Sequence, residues 1–422
     1  MPSLDAPTAL PGPDWLQARR AISSGHLAEA DLPTTEEEVW RYSRIGDLDL
    51  DTVRPVDLPA PAAAVAAARA HADAIVPDRA GLVVVVDGYV GAVDLAPDAV
   101  TAGVTAGRAG EHAAGESVLG AVVGAPTDYF GALNDARAPE PVIVDVPRGA
   151  TLERPLVVVH RTEAEGGLSL PRLAVRAGDN SQVTLVDLQV SADVTAVSVP
   201  VVELDVAPSA RLTYLAVQDL GPRVWQLATQ ASRVGGQARL VAATAAFGGE
   251  YARLRTDCAL AGRGATGDLL AAYFGDGDQT LDFRTFQDHV APDTTSNLLF
   301  KGAVGGHSRS VYTGLIRVRP DARGTNAFQT NRNIKLSEHA WAESVPNLEI
   351  ENNDVRCSHA STVGPIDEQQ RFYLESRGVP TPAAERLIVA GFFDEVLTQL
   401  PVPTVADEIR RQVSAKLEGP AR

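Results

Sequence analysis

Lysine is nearly absent from this 422-residue chain: of its 37 basic residues, only Lys301, Lys335 and Lys416 are lysines. A Walker-type phosphate loop needs Gly-Lys-Ser/Thr, whereas these lysines precede Gly302, Leu336 and Leu417. No nucleotide site of that kind is expected in this chain. Cysteine is as scarce. Cys258 and Cys357 alone are too few for the disulfide framework of a secreted domain. No Asn-x-Ser/Thr acceptor occurs, and the N-terminal stretch has no basic start followed by an apolar run. The longest strongly apolar run, Leu82–Val86, falls far short of the roughly 20 residues of a membrane span. A reducing compartment, the cytoplasm, is therefore expected. Positive charge is also in deficit, 37 basic against 54 acidic residues for a net charge of −17. Such a chain is repelled by phosphate backbones and anionic lipid, so neither nucleic acid nor a membrane is an expected partner.

What is present reads as an ordinary globular chain, 45% apolar and 22% charged, long enough for two or three domains. Residues 1–80 read as a helical N-terminal segment. Asp14 can cap a helix through Ile22, and Thr35 with Glu38 has the spacing of a capping box ahead of Val39-Trp40-Arg41-Tyr42. The Ala-rich stretch Pro61–Ile75 reads as a further helix or a stiff linker. Residues 81–140 form a small mixed segment containing a hairpin, because Asp87-Gly88 separates two β-rich runs within Leu82–Leu95.

Residues 141–365 change character. Short Val-, Leu- and Thr-rich runs alternate with turn clusters at Asp179, Pro208, Gly235, Gly262, Pro292 and Pro320, separated by 29, 27, 27, 30 and 28 residues. That period, with almost no amphipathic helix, favours a mainly β fold built as a β-solenoid over a large sandwich. Residues 366–422 return to helix. Asp367 caps one run, Gly378 and Pro380 end it, and Thr381-Pro382 opens another with Leu387, Ile388, Phe392, Val396 and Leu400 tracking its apolar face. A last helix is expected over Val405–Leu417.

Several motifs are better read as structure than as chemistry. Gly262-Arg263-Gly264-Ala265-Thr266-Gly267 matches a dinucleotide fingerprint, but the residues after it are too few for a crossover helix, so it reads as a turn. Asp276-Gly277-Asp278 with Asp282 has calcium-like acidity without the pattern of an EF-hand, and reads as a solvated turn. Gly306-His307-Ser308-Arg309-Ser310 lacks the final Gly of a nucleophile elbow. Asp282, Asp288, His289 and Asp293 raise an alternative function, a β-helix carbohydrate-active enzyme (lyase or hydrolase) with paired carboxylates on a groove. An acidic chain without a leader suits that role poorly.

The segment Asn352-Asn353-Asp354-Val355-Arg356-Cys357-Ser358-His359 carries more. In an extended strand Cys357 and His359 project to one face and can reach one metal, thiolate and imidazole both suiting iron–sulfur chemistry and zinc. Two ligands do not fill a four-coordinate site. The rest come from elsewhere in the chain, with His289, His307 and His339 as candidates, or from a second subunit. A buried Cys beside a hydrogen-bonded His is the plainer alternative. Cys258 reads as a core residue.

That segment, with Thr362-Val363-Gly364, Asp367-Glu368, Phe372-Tyr373-Leu374 and Ser376-Arg377-Gly378, resembles the SufB/SufD family of iron–sulfur cluster assembly proteins. Further matches are Glu38-Val39-Trp40-Arg41-Tyr42, Phe130-Gly131-Ala132-Leu133-Asn134, Val146-Pro147-Arg148-Gly149, Leu152-Glu153-Arg154-Pro155-Leu156 and Gln329-Thr330-Asn331. The Cys-Ser-His version is most similar to the SufD branch. The resemblance implies a right-handed parallel β-helix core with α-helical N- and C-terminal segments. It also implies a non-catalytic scaffold subunit that pairs with a SufB-like paralogue and binds a SufC-like ABC ATPase through its C-terminal helices, with a cysteine desulfurase system supplying sulfur indirectly. Cys357 and His359 then face a transient iron–sulfur cluster at the subunit interface. One departure is Ala360-Ser361, where SufD relatives often read Gly-Ala.

Overall fold

The computed structural model describes residues 10–57 and 59–418. Their centre is a parallel β-solenoid of eight turns, each contributing one strand to each of two long sheets. From Val142 onward neighbouring turns are in register with advances of 26 to 32 residues, the extremes being Trp225↔Tyr251 and Arg309↔Trp341. The turn-cluster period read from the sequence is therefore the pitch of the coil. Its physical basis is a stacked corner: Asn180, Ser209, Gln237, Gly264, Asp293 and Gly324 all have positive φ and each ends one strand's approach to the next sheet. Asn, Asp and Gly tolerate that left-handed conformation best, which is why small polar residues and glycines punctuate the sequence there. The glycine-rich stretch 262–267 is such a corner, followed by the strand Thr266–Gly275 and no helix.

Inward side chains fill the bore with Val, Leu, Ala and aromatic residues from Ala80 to Tyr312. Both outer faces are covered. On one sheet, α2 (Ala62–Ile75) and the C-terminal helices α7 (Thr381–Leu397) and α8 (Pro403–Glu418) bury an apolar layer that includes Phe274, Phe393 and Ile409. On the other sheet, Trp40, Ile45, Phe130 and Leu133 pack on Leu168, Trp225, Leu227 and Tyr251. Glu203 fastens this cover. It is buried, accepts hydrogen bonds from the backbone N–H groups of Gly120, Val122 and Val123, and pairs with Arg172 at 2.6 Å.

The N-terminal end of the solenoid is closed. The expected hairpin forms from Gly81–Val86 and Tyr89–Leu95, with Asp87 and Gly88 at positive φ. It adds an antiparallel strand beyond the first parallel pair of one sheet, and Thr105–Arg108 does the same for the other. Antiparallel additions of this sort end a ladder that would otherwise template further parallel pairing.

Three local expectations are corrected. The helix α1 (Asp14–Glu29) has Pro13 at its cap position, and Asp14 lies inside the first turn. The Thr35/Glu38 capping box does not form; Glu37 instead accepts from the Thr34 N–H, and only a three-residue 3₁₀ turn, Glu38–Trp40, follows. Burial of Trp40 against Phe130 and under the Arg253 guanidinium outweighs local helix propensity there. In α7 the buried stripe is Ala384, Val389, Phe393, Val396 and Leu397, which turns Leu387 out to solvent. The Ala-rich stretch is a helix, α2, and the last helix runs from Pro403 to Glu418. Among the described residues no helix is long and apolar enough to cross a membrane.

Candidate functional site

At its C-terminal end the solenoid stops without a cover. The last turn consists of Trp341–Ile350 and Val355–Pro365, which are the edge strands of the two sheets. Side chains that would be buried one turn earlier are exposed or half-buried here. Two parallel edges of 10 and 11 residues thus present unpaired backbone donors and acceptors side by side.

Cys357 and His359 lie on the second of these strands. Cys357 is in register with Ala327 and His359 with Gln329, both of which point into the bore. The two candidate ligands therefore share the inward face at the open end of the coil. Cys357 is half-buried and packs with Leu348 and Val355 over Ile316, Val318, Ala322 and Ala327. Burial pushes its thiol above the ordinary cysteine range, and a backbone hydrogen bond from Ala327 opposes the effect. His359 is exposed. Ser361, next on the same face, bonds across to Ser344 at 2.7 Å and ties the two terminal strands together. Ala360 and Ser361 sit in regular strand without positive φ, so the backbone asks for no glycine at either position.

The other candidates are placed elsewhere. His289 is buried with both ring nitrogens engaged, 2.8 Å from the Thr294 hydroxyl and 2.9 Å from the Ser296 hydroxyl. Burial lowers its pKa to about 4, against the pull of Asp288. His307 and His339 stack on each other 5.0 Å apart. They occupy turns at the far end of the strands from Cys357. Among the described residues no group of three or more His, Cys, Asp or Glu is arranged to hold a metal. Cys258 is buried in the bore, and burial raises its pKa to about 11. The carboxylates considered for glycan cleavage are each bound to an arginine: Asp282 to Arg253, Asp288 to Arg319 and Asp293 to Arg263. Asp276 and Asp278 lie in a turn, and Ser308 is buried against the Gly305 carbonyl.

A second surface adjoins the last turn. Helix α6 (Glu368–Ser376) is capped by the Asp367 side chain, as its sequence predicts, yet buries none of its residues. Phe372, Tyr373 and, on α7, Leu387 are 71%, 59% and 57% exposed, an unusual density of large apolar side chains facing water. A cleft of about 820 Å³ runs between α6, α7 and the sheet, lined by Arg332, Ile334, Tyr373, Leu387 and Glu395. At its base Lys301 is 2% exposed, pairs with Glu395, and donates to the Phe392 carbonyl at 2.8 Å. No sequence motif assigns this lysine a role, although a lone Lys inside Leu298-Leu299-Phe300-Lys301-Gly302-Ala303-Val304 signals a buried pair.

Comparison with known proteins places the chain among relatives. Residues 160–392 match the model of the SUF system FeS cluster assembly, SufBD core domain. The chain is 34% identical over 303 residues to an iron–sulfur cluster assembly SufBD family protein of Mycobacterium tuberculosis, covering 70% of this chain and 76% of that one. A Mycobacterium leprae protein of the same description is 32% identical over the same shares. The iron–sulfur cluster assembly protein SufD of Bacillus subtilis is 28% identical over 276 residues, 65% of this chain and 63% of that protein.

Proposed function

Because this chain belongs to the SufBD family of the SUF iron–sulfur cluster assembly system, we propose that it is a non-catalytic scaffold subunit of the SufD kind. It pairs with a SufB-like paralogue through the uncovered last turn, and it docks a SufC-like ABC ATPase on α6 and α7. The observation that carries this reading is the open end of the solenoid, where Cys357 and His359 share one face of an edge strand.

A second subunit that continues the two sheets would bury those edges and bring its own ligands opposite Cys357 and His359. The nascent cluster is then cargo held between subunits, with thiolate and imidazole from this chain as two of its ligands. Sulfur arrives from a cysteine desulfurase system that need not touch this chain. The exposed Phe372, Tyr373 and Leu387 suit a partner with an apolar surface, and an ATPase bound there would transmit movement through α7 to the sheet at Lys301.

Co-expression with the paralogue and the ATPase tests both surfaces. Tyr373→Ala with Leu387→Asp should release the ATPase and leave thermal unfolding unchanged, since neither side chain is buried. These substitutions are cleaner than removing α7 and α8, which would uncover Phe274 and Leu270. Cys357→Ser with His359→Ala should leave all three subunits together and abolish cluster formation. Normal cluster yield from that double variant would sink the assignment of the pair.

A further inference from the structure

Directly beneath His359 in the stack lies Gln329, its in-register partner on the preceding turn. In parallel in-register strands such neighbours project to the same side about 4.8 Å apart. Gln329 is 1% exposed. Its Nε2 donates to the Tyr312 hydroxyl at 2.7 Å, and that hydroxyl is 3.0 Å from Thr285 Oγ1. Its Oε1 is buried and has no hydrogen-bond partner. An acceptor left unpaired in the interior costs about 1–3 kcal/mol, so its retention needs an explanation.

The adjacent amides make the contrast plain. Asn331 and Asn333, next along the same face, form a closed set with Tyr273 through bonds of 2.8 to 3.0 Å. In the Gln329 group one acceptor is left over. Space for the bonded Gln329 Nε2 and Tyr312 hydroxyl is made on the opposite sheet by Gly314, where a Cβ would lie 2.0 Å from the first and 2.2 Å from the second.

We propose that Gln329 is a positioning residue for His359: held from behind by Tyr312, its free carbonyl oxygen accepts a ring N–H of His359 and leaves the other ring nitrogen unprotonated for iron. This rests on the reading of His359 as a ligand. An imidazole presents a lone pair at one nitrogen only when its proton sits on the other, and the bond made by that second N–H sets the choice. Gln suits the task because it accepts without carrying charge, so it does not compete as a ligand or draw a second proton onto the ring.

The test is the tautomer of His359, read from ring ¹⁵N shifts in the full chain labelled at histidine, at about pH 8.5 where an ordinary imidazole is neutral. The His359 signals are assigned by their loss in His359→Gln. The wild-type chain should show one protonated and one unprotonated nitrogen at well-separated shifts. In Gln329→Leu the two shifts should move toward each other as the tautomers mix. Gln329→Asn, which keeps the amide but withdraws it by one methylene, should do the same and serves if the leucine variant fails to fold. In the reconstituted three-subunit complex, either variant should slow cluster formation about tenfold or more. A fixed tautomer that survives both substitutions overturns the inference, whatever happens to assembly. Mixed tautomers with an unaltered assembly rate would uphold the hydrogen bond and instead remove His359 as a ligand.

Discussion

His289 supplies the sharpest quantitative expectation. It is wholly buried at the end of the strand Thr280–His289, bonded to Thr294 and Ser296, and burial holds its pKa at about 4. The one charge that faces it in that balance is Asp288, which pulls the other way. The folded chain therefore keeps His289 neutral at a pH where the unfolded chain has already taken up a proton. Below pH 6.5 the unfolded state binds more protons, so stability falls as pH falls from 6.5 and levels out below about 4. At about 1.36 kcal/mol per pH unit, the whole interval is worth on the order of 3 kcal/mol, of which about 2 kcal/mol lies between pH 7 and 5. His289→Gln keeps an amide toward the two hydroxyls and removes the titration. Urea unfolding followed by circular dichroism at pH 7, 6 and 5 should show the wild-type chain losing about 2 kcal/mol more than the variant. Parallel losses, within about 0.5 kcal/mol, would refute the reasoning.

Two further expectations concern the packing that positions the site. Glu203→Ala leaves Arg172 with Asp135, 2.9 Å away, as its remaining carboxylate partner and removes the acceptor of three backbone N–H groups; it should cost about 1–3 kcal/mol and expose residues 115–123 to proteolysis, and an unchanged melting temperature would contradict the assigned role. Gly302→Ala places a Cβ 2.0 Å from Tyr273 Cε2 and 2.5 Å from Asn333 Oδ1. It should destabilise the chain by about 1–3 kcal/mol or more, while Gly364→Ala, with nothing within 4 Å, should stay within about 0.5 kcal/mol of wild type in the same melt.

The sequence by itself determined the coil. Left-handed corner positions recur because every turn must reverse direction with the same backbone geometry, so Asn180, Ser209, Gly264 and Asp293 announce the pitch before any pairing is known. The hairpin at Asp87-Gly88, the cap at Asp367 and the shared face of Cys357 and His359 were legible for the same reason: each depends on residues a few positions apart. Tertiary structure decided whatever depends on which strand lies against which. Trp40 is drawn into a contact with Phe130 and Arg253 and prevents the helix its own neighbours favour. The sheet selects which face of α7 is buried, and so exposes Leu387. Asp282 reads as a free carboxylate in sequence, whereas the stack bonds it to Arg253 one turn away. Gln329 is 30 residues from His359 in the chain and adjacent to it in the stack, a relation that strand register alone creates. The open last turn is likewise a property of the assembled sheets, because an edge exists only where no further strand has paired.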